Sequence, residues 1–81
     1  MDKVLGQALR QILKALMQQL YARGFAFGDF MELAKQTYVE VVQQELEKTE
    51  SKATTSRISA VTGLTRKDVA RLRKVDVDLD D

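Results

Sequence analysis

The side chains best suited to chemistry are the cations between positions 51 and 74, the most strongly charged stretch of the chain. One acidic residue, Asp68, accompanies seven cations there: Lys52, Arg57, Arg66, Lys67, Arg71, Arg73 and Lys74. Residues 1–50 instead hold six cations and seven acids, and residues 75–81 hold four aspartates and no cation. Lysine and arginine bind phosphate and carboxylate oxygens. This segregation of charge therefore predicts an anionic partner for residues 51–74.

Catalytic and metal-binding chemistry finds little support in the sequence. The 81-residue chain contains no histidine and no cysteine, so the nucleophile, general-base and metal sites that depend on them are ruled out. The four C-terminal aspartates do not match the ligand spacing of an EF-hand, and no glycine-rich phosphate loop occurs. We therefore expect neither an enzyme nor a bound metal or cofactor.

The composition favours a helical fold, so we expect helices to carry the cations of residues 51–74. The chain is 44% hydrophobic and contains no proline and four glycines, which favours long helices around one modest core. The predicted fold class is all-α, a four-helix domain with a C-terminal helix-turn-helix. Within this one compact domain we expect a two-helix scaffold over residues 1–50, the helix-turn-helix over residues 51–74 and an acidic tail over residues 75–81. The absence of cysteine and of a long apolar run leads us to expect a cytoplasmic protein without a membrane span.

The first predicted helix runs from about Asp2 to Ala22 and ends near Gly24, which suits a left-handed closing residue. Apolar residues recur in it at spacings of one, three and four, which indicates a helical face. They are Val4, Leu5, Ala8, Leu9, Ile12, Leu13, Leu16 and Leu20. This face covers about half of the helix circumference, more than one neighbouring helix needs. We therefore predict a homodimer that forms through residues 4–20.

The second predicted helix begins after Gly28. Asp29 is a favourable N-cap, and Glu32 three residues later completes a capping-box pattern. The helix fades near Lys48 into a polar linker. Its expected apolar face consists of Phe30, Leu33, Ala34, Tyr38, Val41, Val42 and Leu46.

Two short helices are predicted after the linker. The first runs roughly from Ser56 to Thr62 and is broken at Gly63, where the backbone needs a positive φ. The second, from about Arg66 to Lys74, is capped by Thr65. Ile58, Leu64, Val69 and Leu72 are expected to face inward between these helices. Two helices joined by a tight turn that contains glycine form the helix-turn-helix pattern.

The run ISAVTGLTRKDVARL, residues 58–72, resembles the helix-turn-helix of bacterial transcriptional regulators, including repressor-type and winged-helix proteins. The likeness covers about 20 residues and concerns the small, glycine, threonine-cap and valine positions. The whole chain, with GFAFGDFMELAKQTYVEV followed by SRISAVTGLTRKDV, is also similar to the N-terminal region of an uncharacterised proteobacterial family of unknown function. The first resemblance implies sequence-specific binding of duplex DNA, and the second implies no activity.

The helix-turn-helix resemblance assigns two sets of contacts to DNA. The exposed face of the second short helix would lie nearest the base edges in the major groove, and the flanking residues would contact phosphates. The base-contacting set is Thr65, Arg66, Lys67, Ala70 and Arg71. The phosphate-contacting set is Lys52, Ser56, Arg57, Arg73 and Lys74.

Two other readings of the sequence remain open. In the stronger one the chain is a protein-interaction or oligomerisation module that uses its helix-turn-helix without binding DNA. In the weaker one the first helix lies on a membrane surface, but a role in the core explains its apolar face better. The tail VDVDLDD alternates apolar and acidic residues, which is typical of a strand. We expect it to be a poorly ordered end of a fragment of a longer protein.

Overall fold

A computed structural model describes residues 2–49 and 52–74 of the chain. These residues form four helices and no strand, which confirms the all-α class for the part described. The helices are α1 (Lys3–Ala22), α2 (Phe27–Thr49), α3 (Thr55–Thr62) and α4 (Arg66–Arg73). Each lies within three residues of its predicted bounds. None of the described helices is both long and apolar enough to cross a bilayer.

Helix α1 begins and ends as its sequence predicts. The Oδ1 atom of Asp2 accepts a hydrogen bond of 2.9 Å from the backbone N–H of Val4, which caps the first turn. Beyond the C-cap Arg23, Gly24 has a φ of 65°, in the left-handed region that favours glycine. No residue of α1 is buried.

Helix α2 begins earlier than predicted. The N–H of Phe30 donates to the carbonyl of Ala26 over 3.1 Å, so the first turn is already helical at Phe27. Asp29 therefore lies inside the first turn, where its charge still suits the positive end of the helix dipole. The proposed capping box of Asp29 and Glu32 is wrong in this respect, because the N-cap position precedes Asp29.

The chain's contacts divide into two compact units, residues 1–31 and residues 32–81. The first unit contains α1 and the start of α2, where the rings of Phe27 and Phe30 are 6.2 Å apart and tilted by 40°. The second unit contains the rest of α2 with α3 and α4. The division therefore falls within α2.

The second unit has the buried core of the described residues. Its buried hydrophobic side chains are Val39, Val42, Ala53, Ile58 and Val69, and Leu46, Leu64 and Leu72 pack against them. Ile58 and Val69 are completely buried. All four residues expected to face inward between the short helices thus lie in or against this core, and burial of such side chains contributes about 1.5–3 kcal/mol each.

The expected apolar face of α2 is partly wrong. The structure buries Val39, which the sequence analysis left out, together with Val42. Leu33, Tyr38 and Val41 are instead 47–53% exposed. Residues 39, 42 and 46 follow the i, i+3, i+7 spacing of one helical stripe, and the exposed residues form a second, broader stripe that lies mostly on the other side of the helix. A wide apolar face on one helix does not indicate which part of it meets the core.

The connection between α3 and α4 is closed by hydrogen bonds. Gly63 has a φ of 80° and its N–H donates to Ser59 over 2.9 Å, which confirms the glycine turn. The hydroxyl of Ser59 donates to the carbonyl of Leu64 over 2.6 Å. The hydroxyl of Thr62 accepts from the N–H of Leu64 and donates to the carbonyl of Ile58. Hydrogen bonds to residues of α3 therefore hold Gly63 and Leu64 in the turn.

Candidate nucleic-acid interface

The start of α4 presents the cap and the first two cations. Thr65 accepts a hydrogen bond of 3.1 Å from the N–H of Asp68, so its oxygen acts as the N-cap that the sequence predicts. Thr65, Arg66 and Lys67 are exposed. Since Val69 and Leu72 face the core, Lys67 and Arg71 lie on the outward side of this short helix.

Ala70 does not belong to the exposed face. It is only 5% exposed, so the expectation that its methyl group approaches a base edge is wrong. Ala70 is the neighbour of the fully buried Val69, about 100° further around the helix. The buried side of α4 is wide enough to include both residues, and a small side chain there serves packing.

Arg71 is already engaged by acidic side chains. Its guanidinium binds the carboxylate of Glu32 on α2 through both terminal nitrogens, with Nη2 to Oε1 at 3.2 Å, and it reaches Asp68 at 3.4 Å. Lys35 lies 3.9 Å from the other oxygen of Asp68. These four residues, called here the Arg71 network, join α2 to α4. The side chains of Arg71 and Glu32 are each half exposed, so the contact remains open to solvent and to competing anions.

The Arg71 network shifts the ionisation of its two central groups. Hydrogen bonding by Arg71 lowers the pKa of the Glu32 carboxyl below its ordinary value, and the positive charges of Arg71 and Lys35 add to this effect. The same hydrogen bond raises the pKa of the Arg71 guanidinium. At neutral pH Glu32 is therefore ionised and Arg71 is charged. Sequence reasoning missed this pair because 39 residues separate its members.

Arg73 is held by side chains of two other helices. Its Nε donates to the Gln43 amide oxygen over 3.1 Å, and its Nη1 donates to the hydroxyl of the fully buried Thr55 over 3.0 Å. Arg73 is only partly exposed. Arg73 therefore ties α4 to α2 and α3, and its expected contact with a phosphate stays a prediction. No pattern in the sequence marks Gln43 or Thr55 as its partners.

The other expected phosphate-contacting residues lie on the surface. Lys52, Ser56 and Arg57 are exposed near the start of α3, and Lys74 is exposed at the end of α4. The start of α3 is capped by Thr54, whose hydroxyl accepts from the N–H of Arg57 over 3.1 Å. Lys74 is the C-cap of α4 and has a φ of 61°, in the left-handed region.

The acidic tail Val75–Asp81 and its expected strand lie outside the described residues. Among the residues that are described, no group of three or more acidic side chains is placed to share a metal ion. The outward side of α4 carries the cations Lys67 and Arg71, and Asp68 is the acidic residue of this helix.

Comparison with known proteins gives the chain a family. No curated protein matches it, and no solved structure matches it. A family model described as a family of unknown function (DUF6502) matches residues 2–78, most of the chain. The chain therefore belongs to this family of unknown function.

Proposed function

We propose that α3 and α4 form a helix-turn-helix that binds duplex DNA, with the outward side of α4 in the major groove. One observation carries the proposal: α4 follows a glycine turn and a threonine cap and presents Lys67 and Arg71 outward, opposite the buried Val69. A helix fits the major groove of B-DNA, and arginine or lysine there suits the acceptors of guanine. On this basis the chain is a transcriptional regulator or a domain of one.

The local geometry supports the same proposal. Helices α3 and α4 have eight residues each and are joined by three residues, the dimensions of a helix-turn-helix connection. The remainder of α2 shares their core through Val39 and Val42. A rigid support of this kind is what holds a recognition helix in a fixed orientation.

The exposed polar residues divide into two roles. Thr65, Arg66, Lys67 and Arg71 are the proposed base-contacting residues, without the buried Ala70. Lys52, Ser56, Arg57 and Lys74 are the proposed phosphate-contacting residues, without the engaged Arg73. Phosphate contacts supply affinity that is nearly independent of sequence, whereas base contacts supply specificity.

Binding to DNA would require Arg71 to exchange partners. In the free protein its guanidinium faces Glu32 and Asp68, and in the complex it would face guanine N7 and O6. The exchange replaces one pair of charge-assisted hydrogen bonds by another. Glu32 thus opposes binding through charge repulsion and through its competition for Arg71.

The proposal is tested by fluorescence anisotropy with labelled mixed-sequence duplexes at low salt. We expect the wild-type chain to bind, and we expect Lys67→Ala to bind more weakly than Arg23→Ala, a control at the exposed C-cap of α1 with the same change of charge. Absence of binding, or an equal loss in both variants, would show that α4 is not the contact surface.

A second function is favoured by a different observation. The large apolar side chains of α1 are exposed, including Val4 at 73% and Ile12 at 64%. Contiguous apolar surface of this kind marks interaction sites. The second candidate is therefore a protein-interaction or oligomerisation module. In this function α1 would supply an apolar contact surface, and the basic α4 would dock on an acidic protein.

A further inference from the structure

The two long helices each carry an apolar stripe that the described structure leaves exposed. On α1 the stripe contains Val4, Leu5, Leu9, Ile12, Leu13 and Leu16, which are 37–73% exposed. On α2 it contains Leu33, Tyr38 and Val41, which lie mostly on the side of the helix away from the stripe that enters the core. The helices have 20 and 23 residues, so they are about 30 and 35 Å long and match in length.

Their charges are complementary. Helix α1 contains the cations Lys3, Arg10 and Lys14 and no acid, and α2 contains five acids and two lysines. Arg10 and Lys14 line one surface depression together with Leu9, Leu13 and Met17, so the cations border the apolar stripe. Pairing α1 with another α1 would bring like charges together, whereas pairing α1 with α2 brings opposite charges together.

We propose that two copies of this chain form a two-fold dimer in which α1 of each copy packs on the exposed stripe of α2 of the other. A two-fold axis makes this contact twice, because each copy offers both surfaces. The proposal does not rest on DNA binding, but such a dimer would carry two copies of α4.

Single cysteines distinguish this dimer from the alternatives, because the natural chain contains none. Ile12 and Tyr38 lie near the middle of α1 and α2 and are 64% and 50% exposed, so they approach each other in either relative direction of the helices. The experiment mixes full-length Ile12→Cys with an affinity-tagged Tyr38→Cys under mild oxidation. Circular dichroism checks that each variant retains its helices.

The expected result is a mixed disulfide between the two variants, formed well above the level of either homodisulfide. Sedimentation of the wild-type chain should give about twice its 9.2 kDa, and Ile12→Asp or Tyr38→Asp should each return it to the monomer. A Leu16→Cys and Glu47→Cys mixture is the control, since these positions lie on different parts of the two helices. Any of three results would overturn the proposal: a wild-type monomer, a disulfide only between two Ile12→Cys chains, or a disulfide within one chain when Ile12→Cys and Tyr38→Cys are combined in the same chain.

Discussion

Arg71 on α4 and Glu32 on α2 face each other across the surface of the second unit, with the guanidinium bonded to both carboxylate oxygens. The contact places an acid beside the residue that we propose to read a base. It also joins the proposed recognition helix to its supporting helix. Both properties lead to measurable consequences.

Removing the acid should strengthen DNA binding. Glu32→Gln frees Arg71 from its charged partner and removes a negative charge that repels phosphate. Glu40→Gln, an exposed residue of the same helix, is the control with the same change of charge. Anisotropy titrations at matched low salt should show the larger gain for Glu32→Gln. Equal gains would mean that net charge alone is responsible.

The same pair makes folding stability depend on acidity. Because the folded state lowers the pKa of Glu32, its ionised form stabilises the folded chain above the unfolded pKa of about 4.3. This contribution is lost as the pH falls below that value through the lower pKa of the folded state. Urea unfolding of Glu32→Gln between neutral pH and pH 3 should therefore show a smaller acid-induced loss than the wild type. Parallel curves for the two proteins would contradict this assignment.

Arg73 should matter for stability. Arg73→Ala removes donors to Gln43 and to the buried Thr55, and hydrogen bonds that involve a charged group contribute about 1.5–3 kcal/mol each when they are well shielded. Because Arg73 is partly exposed, we expect a loss of about 1–3 kcal/mol in the free energy of unfolding. Arg23→Ala, at the exposed C-cap of α1, should change it by less than about 0.5 kcal/mol. Similar values for both variants would show that the ties of Arg73 contribute little.

Two substitutions of Lys74 should have different effects on stability and the same effect on DNA binding. Its φ of 61° is costly for a residue with a Cβ, by about 1–2 kcal/mol, and glycine recovers part of this cost. Lys74→Gly should raise the thermal midpoint, while Lys74→Ala should not. Both variants should bind DNA more weakly and with a salt slope reduced by about one unit. A lower thermal midpoint for the glycine variant would contradict the strain assigned here.

The elements of the second unit could be predicted where their signals are local. The Thr65 cap, the Gly63 turn and the inward set around Ile58 and Val69 each depend on residues within a few positions, and the structure has all of them. Ala70 was misplaced because a short helix of eight residues does not show how wide its buried side is. The partners of Arg71 and Arg73 could not be predicted, since they depend on how α2 crosses α4.

The two stripes of α2 show the same limit. Leu33, Tyr38, Val41, Val42 and Leu46 all suggest an apolar face, yet only the part near Val39 and Val42 enters the core. Periodicity shows that a helix has an apolar face, but it does not divide a wide face into a buried and an exposed part. The choice between the two stripes is made by tertiary contacts.

The most direct test of DNA recognition is selection of bound sites from random duplexes, carried out in parallel with the wild type, Arg71→Ala and Lys52→Ala. The account predicts an enriched site for the wild type and a loss of preference at one or two positions for Arg71→Ala, with a cost of about 1–3 kcal/mol on the preferred site. Lys52→Ala should keep the same site and lose affinity on all sequences alike. Circular dichroism establishes that each variant is folded, with Val69→Asp as the unfolded reference. An unchanged site preference and affinity in folded Arg71→Ala would contradict the account.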